Sequence, residues 1–253
     1  RFLTAMPEPT ATDYIDRKVN IPSEMRHRDW GRTSVWCREN AFFMASVTDA
    51  QILDRFRHAA RQIANGEIST SQARENLRRF LKDIGYQAAD GLKDTIKDLS
   101  SEQRMNATLE TTVLTAREWA RRQRALQDPA HPGWLLFRAK SVENPRKWDV
   151  RWREAAERVG WKGVAGDGSF VALVSSPIWE ALSAFGRPYP PFDWGSQMRT
   201  RPVDYRTCEQ LGLVGHDAGT AETLEPQIES MNAHVEVAPR VTSEAILKEL
   251  KLQ

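Results

Sequence analysis

The chain has 253 residues, enough for one large domain or two modest ones, and its 40% hydrophobic and 28% charged residues are typical of a water-soluble globular protein. Its sequence holds no apolar run near the roughly 18 residues of a membrane span, and its first residues lack the charged-then-apolar pattern of a signal peptide. Two distant cysteines, Cys37 and Cys208, argue against a disulfide framework or a cysteine zinc site and favour a reducing, intracellular origin.

The net charge of +2 is unevenly distributed along the chain. Residues 1–126 carry 21 basic and 17 acidic side chains, residues 127–214 carry 12 and 10, and residues 215–253 carry 3 and 7. A basic body with an acidic tail is compatible with a nucleic-acid partner, and an ordinary solvated surface explains the same imbalance. Charge alone therefore leaves both interpretations open.

The first half of the chain predicts an arm followed by helices. Residues 1–40 are rich in Pro, Thr and Arg with little periodicity, which predicts an extended N-terminal arm with one short helix near 11–19. Three capping boxes then open helices whose apolar residues recur at helical spacing, which makes 41–126 a helical region. The boxes lie at 48–51, 69–72 and 100–103, and their helices end near Asn65, Gly85 and Leu126.

The second half, residues 127–214, alternates short strands and short helices. Turn residues bound apolar runs at 134–139 and 170–174, which predict strands. Proline at the first helical position predicts helices over 146–159 and 177–186, and Asp204 caps a last short helix that ends at Gly212. The tail, 215–253, is predicted to be extended, with a short amphipathic helix after Ser243. The fold class is therefore α+β, a helical N-terminal half followed by a mixed domain with a small sheet and short helices.

Aromatic and proline residues are concentrated in the second half. Seven of the nine tryptophans fall within 119–194, which indicates a bulky aromatic core or a large interface. A proline-rich loop is difficult to bury and tends to present its side chains, so the loop around Tyr189 is the best candidate for a protein contact. The tail helix adds a small apolar face that docks on the body or on a neighbour. The predicted interface residues are Tyr189, Pro190, Pro191, Phe192, Trp194, Ile246 and Leu250.

The sequence contains no recognisable catalytic or metal-binding motif. The five histidines are scattered without the i, i+4 pairing of a helical zinc site. Ser175 and Ser176 lack the frame of a hydrolase nucleophile. Arg151, Arg153 and Arg158 interleave Glu154 and Glu157, which indicates an ion-paired, solvated helix face. Cys37 lies in an Arg-rich stretch that could lower the pKa of its thiol and make it a nucleophile. A plain, partly buried thiol is the simpler interpretation. We predict no catalytic residues, no metal and no cofactor.

Four arginines, Arg117, Arg121, Arg122 and Arg124, close the longest predicted helix. Cations at this position complement the negative end of the helix dipole, which is a complete structural explanation. The functional alternative is a patch that contacts phosphates of double-stranded DNA.

The order of parts resembles the phage Mu F-like minor head protein family, also called head-morphogenesis proteins. The resemblance covers about 41–214. Four segments carry it: ASVTDAQILDRFRHAARQIANGEISTSQARENLRRFLKDIGY (45–86), TLETTVLTAREWARRQRAL (108–126), PRKWDVRWREAAERVGW (145–161) and VALVSSPIWEALSAFGRPYPPFDWGSQM (171–198). The closing segment has Asp193-Trp194-Gly195-Ser196 where the widespread version has a Pro, Asn, Cys, Arg and Cys pattern, and the common Asp-x-x-Thr-Arg-Pro-x-His motif is absent.

The resemblance implies a structural, non-enzymatic protein of a phage or prophage. It would associate in several copies with the portal or the major capsid protein during head assembly and DNA packaging. It would have no membrane partner. It would lie in the virion, at the capsid interior or portal vertex, and in the host cytoplasm during assembly. Two alternatives remain, a DNA-binding virion protein that uses the arginine cluster and a toxin-like enzyme with a site assembled from distant segments.

Overall fold

The computed structural model describes residues 10–141, 145–161, 170–193, 196–214 and 241–251. The chain divides into two compact units. Unit 1 comprises Arg1–Ala120 and Val241–Gln253, and unit 2 comprises Arg121–Arg240. This division differs from the four regions predicted from the sequence, because the C-terminal helix belongs to the first unit.

Unit 1 is helical, as predicted. In chain order it contains α1 (Ala11–Asp16), β1 (Val19–Asn20), α2 (His27–Trp30), α3 (Val35–Asn40), β2 (Ala41–Phe42), α4 (Ala50–Ala64), α5 (Thr70–Asp83) and most of α6 (Glu102–Ala125), and α10 (Ser243–Lys251) joins it from the end of the chain. The apolar faces of α4, α5 and α6 form its core around Leu53, Phe56, Leu81, Met105 and Leu109.

The three predicted helix starts are confirmed to within one residue. Ser69 caps α5 as expected, since its hydroxyl accepts from the Gln72 N–H at 3.2 Å. The α4 cap is Asp49, whose carboxylate accepts from the Gln51 N–H at 2.7 Å. At α6 the hydroxyl of Ser101 accepts from the Arg104 N–H at 3.1 Å. In both shifted cases an adjacent side chain of the same capping type makes the bond.

The short helix predicted near 11–19 is present as α1, but the prediction that the rest of residues 1–40 forms an extended arm is wrong for the residues that the structure describes. Residues 10–40 form α1, β1, α2 and α3, and Tyr14, Ile15 and Ile21 are buried. The Lys18 ammonium group is also buried, and it donates to the backbone carbonyls of Arg38, Glu39 and Ala41 at 2.9–3.2 Å. Apolar residues at irregular spacing anchor this segment, so helical periodicity could not reveal it.

Unit 2 is the mixed α/β part of the chain, and the predicted α+β class is confirmed. It contains β3 (Gly133–Arg138), α7 (Trp148–Val159), β4 (Phe170–Leu173), α8 (Ile178–Leu182), β5 (Met198–Val203) and α9 (Tyr205–Gln210). The strands form an antiparallel sheet in the order β4-β3-β5, with Trp134 opposite Ala172 on one side and Pro202 on the other. Helix α8 is shorter than predicted because the chain leaves the helix at Ser183.

Strand β5 was not predicted from the sequence. Its residues Met198, Thr200 and Val203 are buried, while charged Arg199 and Arg201 interrupt the run and Pro202 removes a donor. The strand lies at the edge of the sheet, where a proline is tolerated. Where β3 begins, Gly133 lies close to Cys208 of α9. A Cβ added at Gly133 would be 2.4 Å from the Cys208 sulfur, so only glycine fits there.

Tryptophans form the core of unit 2. Trp134, Trp152 and Trp179 are fully buried, and the Trp179 ring lies 5.8 Å from Trp134 and 5.5 Å from Trp152, centroid to centroid. Phe192 stacks on Trp179 with a centroid distance of 5.8 Å. The Trp179 indole N–H donates to the Leu173 carbonyl at 2.8 Å, so its polar end is also satisfied. Of the two predictions for the tryptophans, a bulky core or a large interface, the structure shows a core for Trp134, Trp152 and Trp179.

Candidate interaction sites

The Pro-aromatic segment, residues 188–193, was expected to present its ring, and this expectation is wrong. Tyr189 is 2% exposed and Phe192 is fully buried, while Pro190 is buried and Pro191 is half-buried. The backbone of the segment is fixed where the Ala184 N–H donates to the Phe192 carbonyl at 2.8 Å. Trp194 lies outside the described residues. The segment is therefore buried, and Tyr189 and Phe192 are not accessible to a partner while the chain is folded.

Charged side chains hold the end of this segment against α7. The Arg151 guanidinium donates to the Asp193 carboxylate at 2.8 Å, and the Arg146 Nε lies 3.6 Å from the same oxygen. Arg151 also lies over the Trp148 ring at 4.8 Å. Arg146 and Arg151 thus bind the end of the Pro-aromatic segment. Arg153 instead pairs with Asp149 on the exposed face of α7, as the prediction of an ion-paired helix face expected, but the contact of Arg151 with Asp193 was not predicted.

The four arginines of the predicted phosphate patch have different surroundings. In unit 2, Arg121 donates to the Thr200 carbonyl at 2.8 Å and to its hydroxyl, and it lies over the Trp134 ring at 5.2 Å. Burial lowers the pKa of Arg122, although the neighbouring Tyr189 and Glu180 act in the opposite direction. Arg124 is exposed. In unit 1, the exposed Arg117 donates to the Ile63 carbonyl at 3.2 Å.

The structure therefore does not present the cluster as one exposed patch. Arg121 is bonded to Thr200 within unit 2 and Arg122 is half-buried, whereas Arg117 and Arg124 are exposed. The contacts of these arginines do not test DNA binding by the cluster, which stays a prediction.

The C-terminal helix α10 docks on unit 1. Ile246 is fully buried against Ile21, Cys37 and Ala41, and Leu250 packs at the edge of the same cluster. Of the two expectations for this helix, docking on the body or on a neighbour, the structure shows the first. Ile246 is consequently covered by its own chain while the helix is seated.

Neither thiol is activated. Burial raises the pKa of Cys37, the Ser34 hydroxyl opposes this less strongly, and the nearby Glu249 of α10 adds a smaller rise. Burial and the neighbouring Asp204 raise the pKa of Cys208 to about 11. The suggestion that arginines depress the Cys37 pKa is therefore wrong, since a desolvated thiol resists ionisation.

Release of α10 is expected to make Cys37 reactive. Ile246→Glu places a charge in the buried contact and should detach the helix, so alkylation of Cys37 by iodoacetamide at pH 8 should accelerate at least tenfold. The site of labelling is determined by peptide mass spectrometry. Leu247→Glu changes the adjacent residue, which is 42% exposed, and should leave the rate unchanged. Equal labelling rates in both variants would show that α10 does not protect the thiol.

The described residues contain no group of three or more His, Cys, Asp or Glu side chains placed to hold a metal ion. Within the same part of the chain, no helix is both long enough and apolar enough to cross a membrane. Most of the predicted site residues that the structure describes are engaged in packing or hydrogen bonding within the chain.

Comparison with known proteins places the chain beside a prophage protein. It is 28% identical over 177 residues to the Mu-like prophage FluMu F protein of Haemophilus influenzae (strain ATCC 51907 / DSM 11121 / KW20 / Rd). The match includes 68% of this chain and 37% of that relative, so the chain spans well under half of the relative's length. No family model matches the chain, and no solved structure gives a significant match. The similarity confirms the resemblance to Mu F-like proteins.

Proposed function

We propose that the chain is a minor capsid or head-morphogenesis protein of a phage or prophage, a structural component without catalytic activity. The observation that carries the proposal is the similarity to a prophage F protein over 68% of the chain. The segments that resemble the Mu F-like family account for the helical body and for the Trp-rich unit. The proposed partners are the portal protein and the major capsid protein, and the proposed location is the capsid interior or portal vertex, reached from the host cytoplasm during assembly.

The internal packing of the predicted site residues supports a structural role. The conspicuous aromatic and proline residues stabilise unit 2, and the conspicuous arginines donate to backbone carbonyls or to Asp193. These side chains stabilise the fold and leave other, exposed residues available for a partner. The partner contact therefore belongs to exposed residues and not to Tyr189, Phe192 or Ile246.

Co-purification tests the proposal. The tagged chain is co-expressed with the portal and major capsid proteins of the same phage or prophage, treated with nuclease and purified. We expect recovery of the portal or capsid protein in a fixed ratio. Recovery of the chain alone would contradict the proposal. A complex that dissociates on nuclease treatment, with DNA affinity that falls steeply as salt rises, would instead support the DNA-binding alternative.

A further inference from the structure

The C-terminal helix α10 occupies an apolar seat on unit 1. The seat consists of Ile21, Cys37 and Ala41. Ile246 is fully buried in it, and Leu250, one helical turn later, is half-buried at its edge. Residues at i and i+4 lie on the same face of a helix. The helix that fills the seat therefore shows which ligand the seat accepts, a short amphipathic helix with one large apolar side chain at its centre.

Apolar contact alone holds α10 in this seat. Over the ranges that the structure describes, no hydrogen bond or ion pair joins residues 241–251 to the rest of unit 1. The bonds at the start of the helix stay within the segment, since the N–H groups of Ala245 and Ile246 donate to the hydroxyl and the carbonyl of Thr242. The helix can therefore leave the seat without breaking a polar contact.

The seat and the helix each need a partner. Ile21, Cys37 and Ala41 are at most 4% exposed, so an empty seat would bring their apolar surface into water. A helix of nine residues is unstable alone in water and depends on the packing of its apolar face. Every copy of the chain carries one seat and one helix that match each other.

The connection to α10 is long enough to reach another copy. The chain leaves unit 1 after Ala120, forms unit 2 and comes back to unit 1 at Val241. At about 3.3 Å for each extended residue, residues 215–240 span at most about 85 Å, several times the radius of gyration of roughly 14 Å for a unit of this size. Chain length therefore does not restrict α10 to the seat of its own copy.

We propose that α10 is exchanged between copies of the chain, so that the helix of one copy occupies the seat of another. The exchanged helix makes the same contacts as in its own copy, so exchange costs the entropy of association and no contact. A linker of this length gives the helix an effective concentration on the order of millimolar at its own seat. Exchange is therefore a minor state in dilute solution and becomes favourable where copies are held side by side.

Cross-linking between copies tests the exchange without any other phage protein. Helices α3 and α10 pack together, and each carries an exposed large side chain, Trp36 and Leu247. Trp36→Cys and Leu247→Cys are made in separate, differently tagged full chains, both with Cys37→Ala to remove the thiol of the seat. They are mixed at about 0.3 mM, near the effective concentration of the tethered helix. The reagent is a flexible bismaleimide long enough to join two packed helices, whose axes lie about 8–10 Å apart.

We expect a cross-linked heterodimer whose yield rises with chain concentration. Adding Ile246→Glu to the Leu247→Cys chain places a charge on the buried contact, and should reduce the yield about tenfold or more. Mass spectrometry of the heterodimer identifies the joined peptides. The yield that remains with Ile246→Glu measures chance collisions between copies.

The double variant Trp36→Cys/Leu247→Cys in a single chain is the control, and it should cross-link within the monomer. The proposal is overturned if this control cross-links while the mixed chains give no more heterodimer than the Ile246→Glu background, because α10 then stays in its own copy. A control that does not cross-link would also contradict it, since α10 would then not occupy the seat beside α3. Neither result depends on portal or capsid binding, so the exchange and the proposed function are tested separately.

Discussion

Trp179→Ala should destabilise unit 2 by about 3–5 kcal/mol, the range measured for truncation of a large buried aromatic side chain. Trp179 contacts the rings of Trp134, Trp152 and Phe192, and its indole N–H satisfies the Leu173 carbonyl. The substitution removes all of these contacts, and the Leu173 carbonyl keeps only the bond that it accepts from the Ser176 N–H at 2.9 Å. Hydrogen exchange with mass spectrometry measures the effect locally, and the amides of β3 and β4 should lose protection.

The same substitution at an exposed tryptophan is the control. Trp36 is 43% exposed, so Trp36→Ala should cost about 0.5 kcal/mol or less, as for most surface changes. Amides of α4 and α5 should keep their protection in the Trp179→Ala variant, since those helices belong to unit 1. If β3 and β4 remain as protected as in the unsubstituted chain, the tryptophan cluster is not the core of unit 2.

Arg121→Ala should destabilise unit 2 by about 2–4 kcal/mol, since it removes charge-assisted hydrogen bonds and a cation–π contact. Arg121 donates to both oxygens of Thr200 on β5 and lies over Trp134 on β3. Thr200 is 4% exposed, so water cannot fully replace the lost donor. Urea denaturation followed by far-UV circular dichroism gives the change in unfolding free energy.

Arg124→Ala is the matched control, because Arg124 belongs to the same predicted cluster and is exposed. Its unfolding free energy should change by about 0.5 kcal/mol or less. A phosphate-binding patch predicts the reverse pattern, in which both variants keep their stability and lose DNA affinity at low salt. That outcome would show that the arginines serve DNA and not the packing of unit 2.

Local signals in the sequence predicted much of the secondary structure. Ser69 caps α5 where its spacing to Gln72 indicated, and α7 ends at Gly160, whose φ of 63° suits glycine. Both features depend on neighbouring residues alone. Strand β5 depends instead on pairing with β3, and no local pattern compensates for its arginines and its proline.

Surface exposure was harder to predict than secondary structure. The Pro-rich loop was expected to present Tyr189, but Phe192 stacks on Trp179 and Asp193 bonds to Arg151 of α7, which draws the segment inward. These partners are distant in the sequence, so their proximity follows from the fold and not from spacing.

Quantitative mass spectrometry of purified phage particles tests the proposed function most directly. Particles induced from the strain that carries the gene are treated with nuclease and protease, separated on a density gradient and compared with the unassembled lysate fraction. The proposal predicts that the chain stays with filled heads, protected from protease, in a constant ratio to the portal protein. Its absence from the heads, with the intact chain found only in the unassembled fraction, would contradict a role as a head component.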